Sequence, residues 1–152
     1  MLDIQIINDS TFAADDEAIR DLVSHTCRKH SITDADISIA ITDDKGISLV
    51  HSEFMNDDSI TDVISFNLSE PDEQAKTFEV IVNADLAVRC AAERGIEAQA
   101  ELMLYILHGL LHNIGFDDLT AEDFNIMHTA ENEILEELGY GKVFGKIEFE
   151  GK

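Results

Sequence analysis

The chain has 152 residues, 45% hydrophobic and 28% charged, one domain's length over 1–152. A fold of this size buries roughly 68–70% of its unfolded surface, enough for a core without disulfides. Ten Lys and Arg against 32 Asp and Glu give a net charge of −22; taken alone this argues against a general binder of polyanionic nucleic acid and fits a basic protein partner or a solubilising surface better. Disorder is excluded because the apolar content is high and periodic. Two cysteines, Cys27 and Cys90, form no framework and read as reduced thiols of a cytoplasmic protein. The expectation is no signal peptide and no membrane span, since no basic stretch precedes a long apolar run and no segment reaches ~18 consecutive apolar residues.

Leu2 to Ile6 alternates apolar and polar, the pattern of a half-buried opening strand. Asp15, Asp16 and Glu17 start a helix whose buried face is Ile19, Leu22, Val23 and Thr26, closing near Arg28, Lys29 and His30. Ile37, Ile39 and Ile41 alternate in a second strand, and Asp43-Asp44-Lys45-Gly46 reads as a hairpin turn into a strand over Ile47–Val50. Val63–Phe66 and Glu79–Val82 are two more short strands, separated by a polar loop from Ser69 to Thr77 that holds the lone proline, Pro71.

The second half reads as helical. Asn83 caps a helix through Arg94, with Gly95 as its stop. Glu97 to Ile114 is apolar on nearly every side, which predicts a central buried helix ended by Gly115. Thr120 to Asp123 starts a last helix with the stripe Phe124, Met127, Ala130, Ile134 and Leu138, stopped by Gly139. Strands early and helices late favour an α+β fold, a small sheet packed against helices.

The buried helix carries His108 and His112. Four residues advance a helix by ~400°, so both side chains leave the same face one turn apart and can reach one ion. After the Gly115 break, Phe116-Asp117-Asp118 turns back with carboxylates in reach, so His-x3-His-x5-Asp offers two nitrogens and an oxygen. Three protein ligands with a position left for water is the usual catalytic arrangement of Zn²⁺, which lowers the pKa of that water to about 7. The competing reading of either histidine is a hydrogen-bonded core residue. Zinc suits this donor set, though Ni²⁺, Co²⁺ or Mn²⁺ also fit imidazole with carboxylate. His25, His30, His51 and His128 stand isolated and read as ordinary. Zincin peptidases carry Glu directly after the first histidine as general base; here that residue is Gly109, which disfavours peptide hydrolysis.

The run His108-Gly-Leu-Leu-His112-Asn-Ile-Gly115-Phe-Asp117-Asp118 resembles the signature H-G-x-L-H-L-x-G-Y-D-H of the YbeY endoribonucleases, bacterial rRNA maturation factors. Thr61-Asp62-Val63-Ile64-Ser65-Phe66 resembles that family's T-D-V-L-S-F strand, and Phe78 to Val82 stands where its G-D/E-I-x-I strand falls. The likeness runs from about Ile4 to Leu138. It implies a small, mostly parallel mixed sheet surrounded by helices, with the metal site on the central buried helix. It also implies a single-strand-specific, zinc-dependent endoribonuclease in rRNA maturation and ribosome quality control. The implied partners are single-stranded rRNA precursor and basic small-subunit ribosomal proteins or a ribosome-associated GTPase. Carried over by position, the ligands of one ion per chain are His108, His112 and Asp118, with Asp117 competing for the third place; Thr61, Asp62 and Ser65 shape the cleft.

Three departures stand out. Asp118 replaces the family's third histidine, and its charge makes a bound water a weaker acid. Met55 stands where the family has Arg and Ile60 where it has Pro, so a cation that would hold substrate phosphate is missing. Arg89, Arg94 and the Arg28-Lys29 pair are the candidates to supply positive charge instead. A second reading follows from the missing Arg: an acidic, metal-stabilised ribosome-assembly factor with little nuclease activity, docking on basic ribosomal proteins. A metallohydrolase acting on another ester or amide is the third.

Overall fold

The computed structural model describes residues 1–140. Among them, four strands, β1 (Leu2–Asn8), β2 (Ala35–Thr42), β3 (Val63–Asn67) and β4 (Lys76–Asn83), form one sheet. Five helices accompany it: α1 (Asp16–Lys29), α2 (Asp44–Met55), α3 (Ala84–Arg94), α4 (Ala98–Ile114) and α5 (Ala121–Glu137). The sheet order is β1-β2-β4-β3, with β1, β2 and β4 parallel and β3 antiparallel to β4 at one edge. This is the mixed, mostly parallel sheet of an α+β fold. Among the described residues no helix is long and apolar enough to cross a membrane.

The period-two pattern decides which face is which. Ile37, Ile39 and Ile41 of β2 and Phe78, Val80 and Val82 of β4 point into the main core, where Ile19, Leu22 and Val23 of α1 meet them. The alternate residues Ile64 and Ile81 face the other way and form a smaller core with Ile47 of α2. Burial, opposed only in part by the Arg28 charge, pushes the Cys27 thiol up to about 11, so this cysteine is an inert core residue.

The segment expected to be a hairpin turn and strand over residues 43–50 is instead the start of α2. Asp43 is an N-cap whose carboxylate accepts the Gly46 N–H at 2.8 Å. The apolar positions Ile47 and Val50 lie three apart on one helical face. A short apolar run beside Asp and Gly satisfies both patterns, and the cap decides for the helix. Asn83 and Thr120 each accept a backbone N–H and Gly95 closes α3 in the left-handed region, as the sequence indicates, while Asp15, grouped there with the acidic first turn, is the N-cap of α1 and accepts the Ala18 N–H.

Helix α4 lies at the centre, packed on α1, α3, α5, β3 and β4. Leu102, Met103, Ile106, Leu107, Leu110 and Leu111 are all fully buried. Gly109 sets how closely it approaches the sheet. A Cβ there would sit 2.8 Å from methyl carbons of both Val63 and Val80, inside van der Waals contact. Gly109→Ala is expected to cost about 1–3 kcal/mol through overpacking, a fall of several degrees in Tm by calorimetry. An unchanged Tm would show that α4 has room to shift. Gly109→Glu, which writes the zincin motif, should fail to fold rather than gain a base.

Candidate metal centre

Because α4 turns its Gly109 side to β3 and β4, the histidines one residue before and three after emerge at the rim of that contact. The His108 and His112 rings lie 4.7 Å apart and nearly perpendicular. Gly115, at φ 129, ends the helix where a side chain would be strained. The returning turn brings Asp118 Oδ2 to 3.6 Å from His108 Nε2 and 3.8 Å from His112 Nε2. Two donors bound to a tetrahedral zinc at 2.0–2.1 Å are about 3.3 Å apart, so each histidine needs only a few tenths of an ångström of closure toward Asp118 to share an ion with it. These three side chains could hold a metal. Asp117 points elsewhere: its Oδ1 accepts the Asp118 N–H at 2.7 Å, and the residue lines a separate hollow with Ile114 and Ile126.

Each imidazole is tied down on its far side. His112 Nδ1 donates to the Phe116 carbonyl at 3.1 Å, and His108 Nδ1 donates to Glu131 Oε2 at 2.7 Å. Both Nε2 lone pairs are thereby left facing Asp118. Glu131 comes from α5, is fully buried, and receives His128 Nδ1 on its other oxygen. Burial alone would push the His108 imidazolium down, but the Glu131 carboxylate, with Asp62 and Asp118, outweighs it and holds the group above its usual value. Burial likewise opposes ionisation of Glu131, yet its hydrogen bonds to His108 and His128 keep it below the usual carboxylate range.

Beside the histidines, a cleft of about 390 Å³ runs past the free edge of β3, lined by Thr61, Ser65, His112 and Asn113 together with His51 and Met55 of α2. Asp62 does not line it. Its Oδ1 accepts the Val63 N–H at 2.8 Å and faces the Thr61 hydroxyl at 3.3 Å, while its charge reaches His108. Among the described residues no Lys or Arg lines this cleft. Three of the cations expected to compensate, Arg89, Arg94 and Lys29, pair with carboxylates elsewhere. Arg89 makes a two-pronged pair with Asp44 at 2.7 and 3.0 Å, Arg94 meets buried Glu101 at 2.5 Å, and Lys29 is held by Glu133 and Glu137.

A family model described as Endoribonuclease YbeY matches residues 5–139. The chain belongs to the Endoribonuclease YbeY family. Similar proteins of that name include one from Sulfurovum sp. (strain NBC37-1), 33% identical over 141 residues and covering 90% of each chain. One from Nautilia profundicola is 38% identical over 107 residues, 70% of this chain and 75% of its own. The fold resembles the solution structure of TM1509 from Thermotoga maritima, with a TM-score of 0.60, 23% identity, and coverage of 88% of this chain and 90% of that one. Membership in this YbeY family supports an endoribonuclease role and RNA as the substrate.

Sequence reasoning missed Glu131, and it set His128 and His51 aside as ordinary. All three lie at or behind the site. The signal for Glu131 was present: it sits between Met127 and Ile134 on the apolar stripe of α5, where a carboxylate needs a reason to be buried. His51 carried no such signal, since its place in the cleft depends on α2 being a helix.

Proposed function

We propose that the chain is a divalent-metal-dependent endoribonuclease that cuts single-stranded RNA, with His108, His112 and Asp118 holding one ion, zinc by the chemistry of the donor set. The supporting observation is the convergence of His108 Nε2, His112 Nε2 and Asp118 Oδ2 at the end of an open cleft. When bound, the ion supplies an activated water and polarises a phosphodiester oxygen. The Thr61 and Ser65 hydroxyls orient the sugar–phosphate chain by neutral hydrogen bonds. Asp62 stiffens the β3 entry and adds negative charge near His108. In this reading an unstacked single strand follows the free edge of β3. Processing of rRNA precursor in the cytoplasm is the cellular role this reading takes from the family resemblance, with basic small-subunit ribosomal proteins or a ribosome-associated GTPase as partners.

Purified protein loaded with Zn²⁺ should cleave an unstructured RNA, spare the same sequence in a duplex, and lose activity with chelator. Full cleavage by metal-stripped protein would end the metal-dependent reading. The assembly-factor reading draws on one observation, the absence of Lys and Arg along the cleft among the described residues. It is favoured if metal-loaded protein binds a basic ribosomal protein but does not cleave.

The third ligand has its own test. Asp118→Ala should weaken ion affinity by more than the about 10–100-fold typical of losing an outer partner, and Asp117→Ala should leave it nearly unchanged. Chelator competition measures both. A large loss confined to Asp117→Ala would reverse the assignment.

A further inference from the structure

Glu131 is the feature of this molecule that packing does not explain. It is fully buried on α5 between Met127 and Ile134, both fully buried as well. An apolar residue of similar volume would fill the place without the desolvation that a carboxylate suffers there. Both its oxygens are used: Oε2 takes His108 Nδ1 at 2.7 Å, and Oε1 takes His128 Nδ1. An ionised carboxylate only accepts, so both nitrogens donate. The His128 ring, itself buried, lies parallel to that of His108 at 5.9 Å and 14°, and the Phe124 ring meets His128 edge-on at 4.1 Å.

His108, His128 and Glu131 also form a second group with ligand atoms close enough for a metal. The contacts argue against that use. At 2.7 Å the His108 and Glu131 atoms are in direct hydrogen bond, closer than the about 3.3 Å between two donors on one tetrahedral ion.

We propose that Glu131 and His128 are positioning residues of the metal centre: Glu131 holds the His108 ring with its proton on Nδ1 and Nε2 toward Asp118, and His128 holds Glu131. The proposal rests on reading His108 as an ion ligand. Glu131 and Asp118 together set two negative charges against those of a divalent ion, and Asp62 adds to them at His108. The carboxylate strengthens His108 as a donor and, with Asp118, makes an ion-bound water less acidic than one held by three neutral histidines.

Co²⁺ is the probe, because its visible bands report ligand geometry and its affinity is read by chelator competition without any RNA. Wild type, His112→Ala, Glu131→Gln, His128→Phe and His128→Gln are compared, each first checked for folding by melting of the metal-free protein. Glu131→Gln should bind Co²⁺ about 10–100-fold more weakly, with shifted bands. His128→Phe should shift both in the same direction by less, and His128→Gln, which keeps an N–H donor, should restore them. If Glu131→Gln does not fold, the two His128 variants decide. Unchanged affinity and bands in Glu131→Gln and His128→Phe overturn the proposal. So does a second equivalent of Co²⁺ in wild type that His128→Phe removes, because the group would then be an ion site. Failure of wild type to bind Co²⁺, or full binding by His112→Ala, brings down the ligand reading and the positioning role with it.

Discussion

Protein with His108 and His112 both changed to alanine should retain no stoichiometric divalent ion by elemental analysis and should not cleave RNA. The two nitrogens are the neutral, pre-aimed donors of the centre, and Asp118 alone, about one-third exposed, offers a single monodentate carboxylate in water. The thermal signature is expected to be as clear. With free ion 1,000-fold above its Kd, binding stabilises wild type by about 4 kcal/mol, a rise in Tm on the order of 10 °C for a chain of this length, and the double variant should show none. Acidity modulates the effect in a defined direction. Burial lowers the His108 value, but Glu131, Asp62 and Asp118 raise it further, so the folded group titrates above its ordinary value. In the metal-free protein the stability from this raised value is fully present below about 6.5, the unfolded imidazole value, and is lost as pH rises through the folded value. The ion must displace that proton. Metal-induced stabilisation therefore grows as pH rises through the folded value, and an increment that shrinks over that range would show that His108 does not bind through a deprotonated nitrogen. Retention of a full equivalent of ion by the double variant would remove the centre altogether.

What the sequence could tell about this centre depended on how local each feature is. His108 and His112 lie within one helix, so their common face follows from the helical repeat alone, and Gly115 marks the turn that returns Asp118. The caps Asp15, Asn83 and Thr120 are equally local. Residues 43–50 misled because an Asp-Asp-Lys-Gly run begins a hairpin or caps a helix; the Asp43 cap and the packing of Ile47 on Ile64 and Ile81 together decide for the helix. That same error hid His51, which enters the cleft with Met55 one helical turn later. Glu131 was hidden for a different reason. It lies 23 residues from the histidine it supports, and only the crossing of α5 over α4 brings them together. Gly109 carried half a message: its spacing excludes the zincin base, while the reason for glycine, the approach to Val63 and Val80, is tertiary.

Met55→Arg should raise affinity for single-stranded RNA by about 10- to 100-fold, the range of one charge-assisted hydrogen bond to phosphate. Met55 is 52% exposed and lines the same cleft as His112, so a guanidinium there enters the cleft without displacing core atoms. Arg89 and Arg94 do not substitute for it, because moving either one strips a carboxylate of its partner, Asp44 or buried Glu101. Salt separates this local effect from the field of the whole chain. With −22 overall, wild type repels RNA over a Debye length of about 30 Å at 0.01 M salt and about 8 Å at 0.15 M. Its RNA affinity should therefore change little, or even rise, as salt is added, whereas binding to a basic protein should weaken. Met55→Arg adds one phosphate contact, and the slope of log affinity against log salt should become more negative by roughly 0.7, the value for one neutralised phosphate on a single strand. An affinity gain without that change in slope would mean that the arginine packs against a base rather than pairing with phosphate. A steep negative slope already present in wild type would mean that RNA meets a cluster of cations away from this cleft, and Met55→Arg would then change neither affinity nor slope.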